Sequence, residues 1–248
     1  MSEAPLSILY RDEHLVAIDK PEGLLVHRSL IDRSEKRYAL QLLRDQLGQR
    51  VYPAHRLDRP TSGVLLFALD RETARRLGEI FSGREASKRY LALVRGWAPE
   101  CLRIDHPLKE ELDRTTDSLA DGDKEPQSAV TGIRTLERFE LDAALGRYPR
   151  SRYSLVEAMP ETGRKHQIRR HLKHIFHPVI GDTTHGEGRH NRFFRETLDC
   201  GRMLLAAVEL SLLHPVTGEN LEIRGGPGRQ FEAVLERLRR EGAVSAPV

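Results

Sequence analysis

The sequence predicts an α+β fold with a mixed or antiparallel sheet, and two observations support this. Short apolar runs of strand length recur along the 248 residues, whereas only a few segments space apolar residues as an amphipathic helix does. Strands and helices also do not alternate in the regular order that a parallel sheet requires. Because no Ser/Gly-rich linker and no internal repeat are visible, we expect a single domain over residues 1–248.

The first third of the chain is predicted to form strands and two helices. Leu40, Leu43 and Leu47 recur at helical spacing, and Gly48 can end that helix. The carboxylate of Asp70 can accept the free N–H groups of a first helical turn. The predicted elements are strands over 8–10, 15–18, 24–26 and 64–69, a helix over 40–47, and a helix opened by Asp70 and ended by Gly83.

The remainder of the chain continues the same mixture. A helical stripe of Ile168, Leu172 and Ile175 stops before Pro178. Residues 105–128 are polar and acid-rich without a clear period, which predicts a long excursion between elements. The predicted elements are strands over 90–94 and 153–159, a helix from about 165, two strands over 204–223 joined by a turn at 215–218, and a closing helix with Phe231, Val234, Leu235 and Leu238.

Composition places the chain among ordinary globular proteins. The charged fraction is 31%, the hydrophobic fraction 39% and the formal net charge +3, so any binding of a polyanion must come from local clusters of cations. No apolar run approaches the ~20 residues needed to span a bilayer. The N-terminus lacks a secretory signal, so we expect a cytoplasmic protein without a membrane partner.

Two cysteines, Cys101 and Cys200, lie far apart and neither belongs to a CxxC pair. This usage is typical of a reducing compartment. It argues against a disulfide framework and against a thiolate metal site.

The most informative segment is the loop HRLDRPTSG at 55–63, which leads into an apolar strand. It places the carboxylate of Asp58 between Arg56 and Arg59. A carboxylate beside fixed cations stays ionised at neutral pH and can act as a nucleophile, a base or a charge stabiliser. Loops rich in Pro, Ser and Gly are also common surface turns, so this segment alone decides nothing.

A second segment, ETGRKHQIRRH at 161–171, combines a basic cluster with a helical stripe. Arg169 follows Ile168 at the edge of the buried stripe, where its guanidinium can reach a carboxylate inside the protein. Cations at the helix start also coincide with the positive end of the helix dipole, which favours phosphate. A basic helix can equally be a solvated face. The cations concerned are Arg164, Lys165, His166, Arg170 and Lys173.

The third segment is the predicted strand SKRYLALVRG at 87–96. Tyr90 shares a strand face with the small side chain of Ala92, so its ring can border a cavity. Tyrosine rings are good platforms for unstacked bases, although a tyrosine on a strand is also an ordinary core residue. Lys88 lies on the same strand.

Together and in this order, the segments resemble the RluA-type pseudouridine synthases. The resemblance covers nearly the whole chain: 12–27 with its KPEGLLVH, the HRLDRPTSG loop, KRYLALVRG, and TGRKHQIRRH followed by HPVIGD at 177–182. It implies an enzyme that isomerises uridine in structured RNA by rejoining uracil to the ribose through C5. It also implies the pseudouridine-synthase fold, a long bent sheet flanked by helices and loops around a central active-site cleft, with neither a metal nor an organic cofactor.

The resemblance also implies residue roles. Asp58 matches the catalytic aspartate, which could attack C1′, add to the uracil ring or remove the 2′ proton. Arg169 matches the arginine that pairs with that aspartate, and Tyr90 the tyrosine that packs on the target base. Arg56 matches the side chain that fills the gap left by the flipped nucleotide, since a base within a helix must be extruded to react. Further RNA contacts are assigned to the cations Arg59, Lys88, Arg164, Lys165, His166, Arg170 and Lys173.

Within the family, three segments are similar to members that modify uridine 65 in the T-stem region of tRNA. These are 26–29, 107–130 and 146–149. The resemblance therefore implies tRNA as the partner. We expect a monomer without a separate N-terminal RNA-binding domain, because the matching core begins almost at Met1. A synthase for ribosomal RNA remains an alternative. So does a non-catalytic RNA-binding protein, which would gain nothing from Asp58.

Three competing interpretations fail on particular residues. Segments 16–20 and 55–58 are similar to protein-kinase motifs, but no DFG follows and no Gly-rich loop precedes Lys20. Zinc binding by the histidines lacks an HExxH motif, and His166 and His171 lie five residues apart on different helix faces. A dinucleotide loop at 186–188 lacks its third glycine, where Asn191 stands. We therefore expect no metal and no cofactor.

Overall fold

The structure is a computed structural model that describes residues 5–27, 37–110 and 125–244, so residues 28–29 and 111–124 of the segments discussed above lie outside it. The strands are β1 Ser7–Arg11, β2 Leu15–Lys20, β3 Tyr52–Pro53, β4 Ser62–Ala68, β5 Ser87–Arg95, β6 Cys101–Asp105, β7 Val130–Leu141, β8 Ser151–Pro160, β9 Leu205–Leu213, β10 Asn220–Arg224 and β11 Ala243–Val244. The helices are α1 Ala39–Leu47, α2 Arg71–Gly83, α3 Gln167–His174, α4 Gly188–Thr197 and α5 Arg229–Gly242. Within these described ranges, no helix is both long and apolar enough to cross a membrane.

The chain divides into two compact units, each assembled from three stretches of sequence. The first unit comprises Met1–Lys88, Lys109–Gln127 and Ala207–Gly226. The second unit comprises Arg89–Leu108, Ser128–Ala206 and Pro227–Val248. The expectation of a single catalytic domain over residues 1–248 stays a prediction.

The first unit is built on strands in the order β1-β2-β4-β9, with β3 paired to β4 and β10 to β9. The pairing of β2 with β4 runs in register from Leu15 opposite Ala68 to Lys20 opposite Gly63. All seven residues of β4 are buried, which explains its continuous apolar sequence. Its core joins these strands to Leu77 of α2.

Helix α2 begins as the sequence predicts. The side chain of Asp70 accepts a hydrogen bond from the backbone N–H of Thr73 at 2.8 Å, which satisfies a free donor of the first turn. The helix ends at Gly83, as predicted. The helix includes Gly83, and Arg84 takes the left-handed conformation with φ 62° while its N–H bonds the carbonyls of the last turn.

The second unit carries the strand order β5-β8-β7-β11, with β6 paired to β7. Strands β7 and β8 pair in antiparallel fashion over most of their length, with a bulge between Thr135 and Glu137. Helix α3 lies against this sheet and contributes Ile168 and Leu172 to the core, as its predicted stripe requires. Ile175, the third residue of the stripe, is partly buried.

The α+β class with a mixed sheet flanked by helices is confirmed, but some predicted elements are incomplete. Residues 24–26 form no strand; Leu25 makes an isolated bridge to Tyr38. Strand β7 was not predicted, because charged residues such as Arg134 and Glu137 interrupt its alternation. Helix α4 was not predicted because Phe194 is the buried residue of its sequence and no apolar stripe exists.

Gly63 provides a test of the packing in the first unit. Its φ is 107°, and a Cβ atom at this position would lie 2.0 Å from the carbonyl oxygen of Ala207. Gly63→Ala should lower the free energy of unfolding by more than about 2 kcal/mol, measured by urea denaturation. Gly78 lies in α2 with open space around it. As the control, Gly78→Ala should stabilise the protein by about 0.5–1 kcal/mol. Equal stability of the two variants would contradict the packing described here.

Candidate active site

The Asp58 loop in the first unit is anchored on both sides of the carboxylate. Leu57 before it is buried, as are Thr61 and Ser62 after it. The backbone N–H of Thr61 donates to the carbonyl of Asp58 at 3.0 Å and closes a tight turn. Asp58 itself is only partly exposed. The loop therefore holds its carboxylate on a fixed backbone.

Lys20 adds a second restraint on this loop. Its side chain is fully buried, and the ammonium donates to the carbonyl oxygens of Pro21 and Leu24 at 2.9 and 2.8 Å and of Arg59 at 3.3 Å. Gly23 donates its N–H to the same carbonyl of Arg59 at 2.9 Å. The charge of a buried ammonium has to be compensated, here by backbone dipoles. The sequence KPEG thus supports the residue next to Asp58, a role that we did not assign to Lys20 from the sequence.

The cations predicted to contact RNA in this unit differ in their surroundings. The guanidinium of Arg59 donates through Nε to the carbonyl of Gly23 at 3.1 Å, on the exposed surface. Arg56 is exposed, and burial together with the charge of Arg56 lowers the pKa of His27. The ammonium of Lys88 lies 5.9 Å from the ring centroid of Phe81, and burial lowers its pKa.

His55, at the start of the motif, is a structural acceptor. The backbone N–H of Leu66 donates to its Nε2 at 3.2 Å, and its ring stacks on Phe81. Burial, with a contribution from the charge of Lys88, lowers the pKa of His55 to about 3. The ring is therefore neutral at physiological pH and fixes the loop to strand β4.

In the second unit, Arg169 forms a buried bidentate ion pair with Asp182. Its Nε donates to Oδ2 at 2.7 Å and its Nη2 to Oδ1 at 2.8 Å. The exposed fractions of the two side chains are 4% and 0%. Arg169 follows Ile168 at the edge of the helical stripe, but no sequence motif identifies Asp182 as its partner. The signal that could have found Asp182 is the segment HPVIGD, where an acid ends a buried run.

Asp182 is further fixed by its own backbone surroundings. Its Oδ1 also accepts the N–H groups of Thr184 and His185, both at 2.9 Å. Burial alone would raise the pKa of Asp182, but hydrogen bonds from Arg169 and these amides, with the charge of Arg169, lower it below its usual range. Gly181 before it has φ 80°, and a Cβ there would lie 1.9 Å from the carbonyl oxygen of Arg202. Only glycine fits this turn.

The start of α3 is fixed by the uncharged residues of the TGRKHQ motif. The hydroxyl of Thr162 donates to Oε1 of Gln167 at 2.7 Å and accepts the N–H of Val130 at 2.9 Å. Gln167 donates to the carbonyl of Val130 and the hydroxyl of Thr131, both at 2.9 Å. Both side chains are buried. These bonds attach the helix to strand β7 and set the rotation of Arg169 around the helix axis.

The basic residues between 164 and 173 that are predicted to contact RNA are exposed or partly exposed. Nε of Arg164 donates to the carbonyl of Ser128 at 3.2 Å, and Lys165 and Arg170 are partly exposed. His166 has φ 54° at the start of α3, and its Nδ1 lies 3.1 Å from Nε2 of His185. Lys173 is exposed on the last turn of the helix.

Tyr90 lies on β5 opposite Ala158 of β8. It is partly buried and packs against the core cluster that contains Ala92. Arg89 precedes Tyr90 on the strand and pairs with Oε1 of the buried Glu157 at 3.1 Å. Arg134 pairs with Oε2 of the same carboxylate at 3.0 Å. Glu157 was not identified from the sequence, because a single acid within an apolar strand carries no motif.

The predicted site residues thus fall into two groups. Asp58, Arg56, Arg59 and Lys88 belong to the first unit, whereas Tyr90, Arg169 and the basic residues predicted between 164 and 173 belong to the second. The pairing of Asp58 with Arg169 stays a prediction. In the part of the chain that the structure describes, no group of three or more His, Cys, Asp or Glu side chains could hold a metal ion.

This chain is similar to known proteins that are described as pseudouridine synthases. A model of the RNA pseudouridylate synthase family matches residues 14–174. The tRNA pseudouridine synthase C of Vibrio cholerae is 52% identical over 233 residues, which make up 94% of this chain and 96% of the relative. The protein of the same name from Haemophilus influenzae is 48% identical over 94% of this chain and 98% of the relative.

Two solved human structures resemble the fold. RNA Pseudouridylate Synthase Domain Containing 1 is 29% identical, with a TM-score of 0.68 over 91% of this chain and 86% of that chain. RNA Pseudouridylate Synthase Domain Containing 4 is 26% identical, with a TM-score of 0.69 over 94% of this chain and 93% of that chain.

The Arg169–Asp182 pair can be tested by the pH dependence of stability. A lowered pKa in the folded state stabilises the protein above the unfolded pKa of Asp, about 3.9, and this contribution is lost as pH falls through the folded value. Asp182→Asn leaves Arg169 buried without its counter-charge, which should lower the free energy of unfolding by about 3–5 kcal/mol at pH 7. The difference from wild type should shrink below about pH 4.

The control is Asp45→Asn, because Asp45 forms an exposed ion pair with Arg44. Its effect should be within about 0.5 kcal/mol, measured by urea denaturation at both pH values. An Asp182→Asn variant as stable as the control would contradict the buried pair.

Proposed function

The chain belongs to the RNA pseudouridylate synthase family, and from this we propose that it isomerises uridine to pseudouridine in tRNA, at position 65 of the T-stem region. The family resemblance inferred from the sequence motifs is confirmed. One observation carries the proposal for tRNA: the chain aligns over 94% of its length with relatives named tRNA pseudouridine synthase C at about half identity. We further propose a monomeric enzyme that works in the cytoplasm.

The reaction breaks the bond between C1′ and N1 of uridine and joins C1′ to C5, while a proton leaves C5 and N1 becomes protonated. We assign the carboxylate of Asp58 to this step. Attack at C1′, addition to the uracil ring and removal of the 2′ proton are three roles open to it. Each of them requires an ionised carboxylate at a fixed position. The buried neighbours of Asp58 and the contact of Lys20 with Arg59 support such a position.

Arg169 is proposed to keep Asp58 ionised and oriented. A guanidinium offers five N–H donors, and Asp182 engages Nε and one N–H group of Nη2. The ion pair with Asp182 fixes the plane of the guanidinium, so the remaining donors are held in a defined orientation. Charge stabilisation by preorganised donors is often the largest single contribution to catalysis.

The remaining assignments concern RNA. We propose that the ring of Tyr90 packs on the target uracil and that Arg56, which is exposed, occupies the gap left by the flipped nucleotide. Flipping costs a few kcal/mol, and a stacked guanidinium offsets part of that cost. The basic residues at the surface are proposed to contact the phosphate backbone, which would make binding strongly dependent on salt. These residues are Arg59, Lys88, Arg164, Lys165, His166, Arg170 and Lys173.

The function is tested on tRNA from a strain that lacks pseudouridine 65. The RNA is incubated with the purified protein, treated with a carbodiimide that labels pseudouridine, and mapped by primer extension. We expect one new stop at position 65. A stop elsewhere in tRNA would refute the position, and modification of ribosomal RNA alone would favour the alternative substrate. Binding without any new stop would indicate a non-catalytic protein.

Asp58→Asn isolates the proposed catalyst. The substitution preserves shape, so folding and tRNA affinity should stay close to those of wild type, while turnover falls by at least about 10³-fold. Single-turnover modification and a filter-binding titration measure the two properties on the same protein sample. Asp45→Asn serves as the control, because its exposed position on α1 predicts unchanged turnover. Turnover by Asp58→Asn comparable to wild type would refute the assignment.

A further inference from the structure

We propose that Phe176, at the end of α3, stacks on a nucleobase whose face is exposed in the bound RNA. The inference rests on the proposed function and identifies a recognition residue separate from the residues assigned to the reaction. Phe176 follows the TGRKHQ segment but has no role in any assignment made from the sequence.

The first observation is exposure. The exposed fraction of Phe176 is 79%, the highest among the exposed large hydrophobic residues in the described ranges, where Tyr148 follows with 63%. A single apolar side chain at the surface is normal and proves nothing by itself. It does show that the ring of Phe176 contributes little to the core, so burial does not explain why the position is aromatic.

The second observation is the backbone conformation. Phe176 has φ 65°, in the left-handed region where a side chain other than hydrogen is disfavoured. The N–H of His177 donates to the carbonyl of Leu172 at 2.8 Å, and the N–H of Phe176 to that of Lys173 at 2.9 Å. This is the Schellman arrangement, in which glycine is the preferred residue at the left-handed position. Stability would favour glycine at 176, whereas the chain has an exposed aromatic ring.

The third observation is the charge around the ring. Nη2 of Arg95 donates to the carbonyl of Phe176 at 3.3 Å, which places a cation directly beside this turn. Lys173 and His174 are exposed in the last turn of α3. Nδ1 of His177 lies 2.9 Å from the carbonyl of Arg95, so the turn is attached to strand β5. An aromatic face among cations is the combination that binds a base and its phosphate.

A nucleobase fits these observations better than an apolar protein surface does. Interfaces between proteins are depleted of lysine at their centre, whereas Lys173 is exposed in the helical turn that leads to Phe176. The turn is also held by backbone hydrogen bonds at both ends. The backbone that carries the ring is therefore held in place before RNA arrives, which reduces the entropy lost on stacking.

Phe176→Gly separates recognition from stability. Because glycine suits φ 65°, the melting temperature should stay the same or rise. The KM for tRNA should increase about 5- to 20-fold with kcat within about twofold, since stacking on the substrate is equally present in the ground and transition states. Phe176→Trp should restore the wild-type KM. Leu213→Ala removes another exposed apolar side chain, which is 54% exposed on β9, and should leave KM unchanged.

Fluorescence provides a direct readout of stacking. The chain contains one tryptophan, Trp97, so Phe176→Trp adds a single reporter over the wild-type signal. Titration with tRNA should quench the added fluorescence, and the wild-type titration gives the background of Trp97. If wild type modifies tRNA but Phe176→Gly keeps the wild-type KM and Phe176→Trp shows no added quenching, the inference is wrong.

Other outcomes remain distinguishable. If wild type modifies no tRNA, the proposed function fails, and quenching of Phe176→Trp by tRNA would still support the stacking site. If Phe176→Gly instead changes the sedimentation of the free protein and leaves RNA binding intact, the ring contacts a second protein copy and the inference is overturned.

Discussion

The second unit depends on the ion pair between Arg169 and Asp182, because neither charge could remain inside the protein without the other. Two side chains with 4% and 0% exposure share two hydrogen bonds, and the aspartate accepts two further amides. A buried charge that loses its partner is far more costly than an exposed one. Two neighbouring residues hold the pair in position. Gly181 permits the turn before Asp182, and Gln167 fixes the start of the helix that carries Arg169.

The first unit also contains a charged group that is buried. There the buried ion is the ammonium of Lys20, and its partners are backbone carbonyls, one of which belongs to the residue after Asp58. In both units a charged group that is hidden from solvent supports a residue assigned to the chemistry. A buried charge whose hydrogen bonds are incomplete costs stability. This explains why glycines, short turns and hydrogen-bonded polar side chains flank both groups.

The sequence predicts elements well where one physical signal dominates. The cap at Asp70, the stripe of α3 and the apolar strand β4 follow from local rules, and the structure contains all three. It does not predict β7, whose charged residues hide the alternation, nor the partners of buried charges, since the Arg169–Asp182 contact spans 13 residues and the Lys20–Arg59 contact spans 39. Motif resemblance supplies the family and the candidate residues. The groups that hold these candidate residues in place, such as Asp182 for Arg169, are identified only from the fold.

Helix α3 is bounded by two residues with left-handed backbones, His166 at φ 54° and Phe176 at φ 65°. A helix bracketed in this way can neither lengthen nor shift by one position without breaking an end. Since each residue advances an α-helix by about 100°, a single insertion between 166 and 169 would turn the guanidinium away from its carboxylate partner. Length variation among descendants of this gene should therefore be confined to the segments outside this eleven-residue span, even where the side chains between its ends diverge.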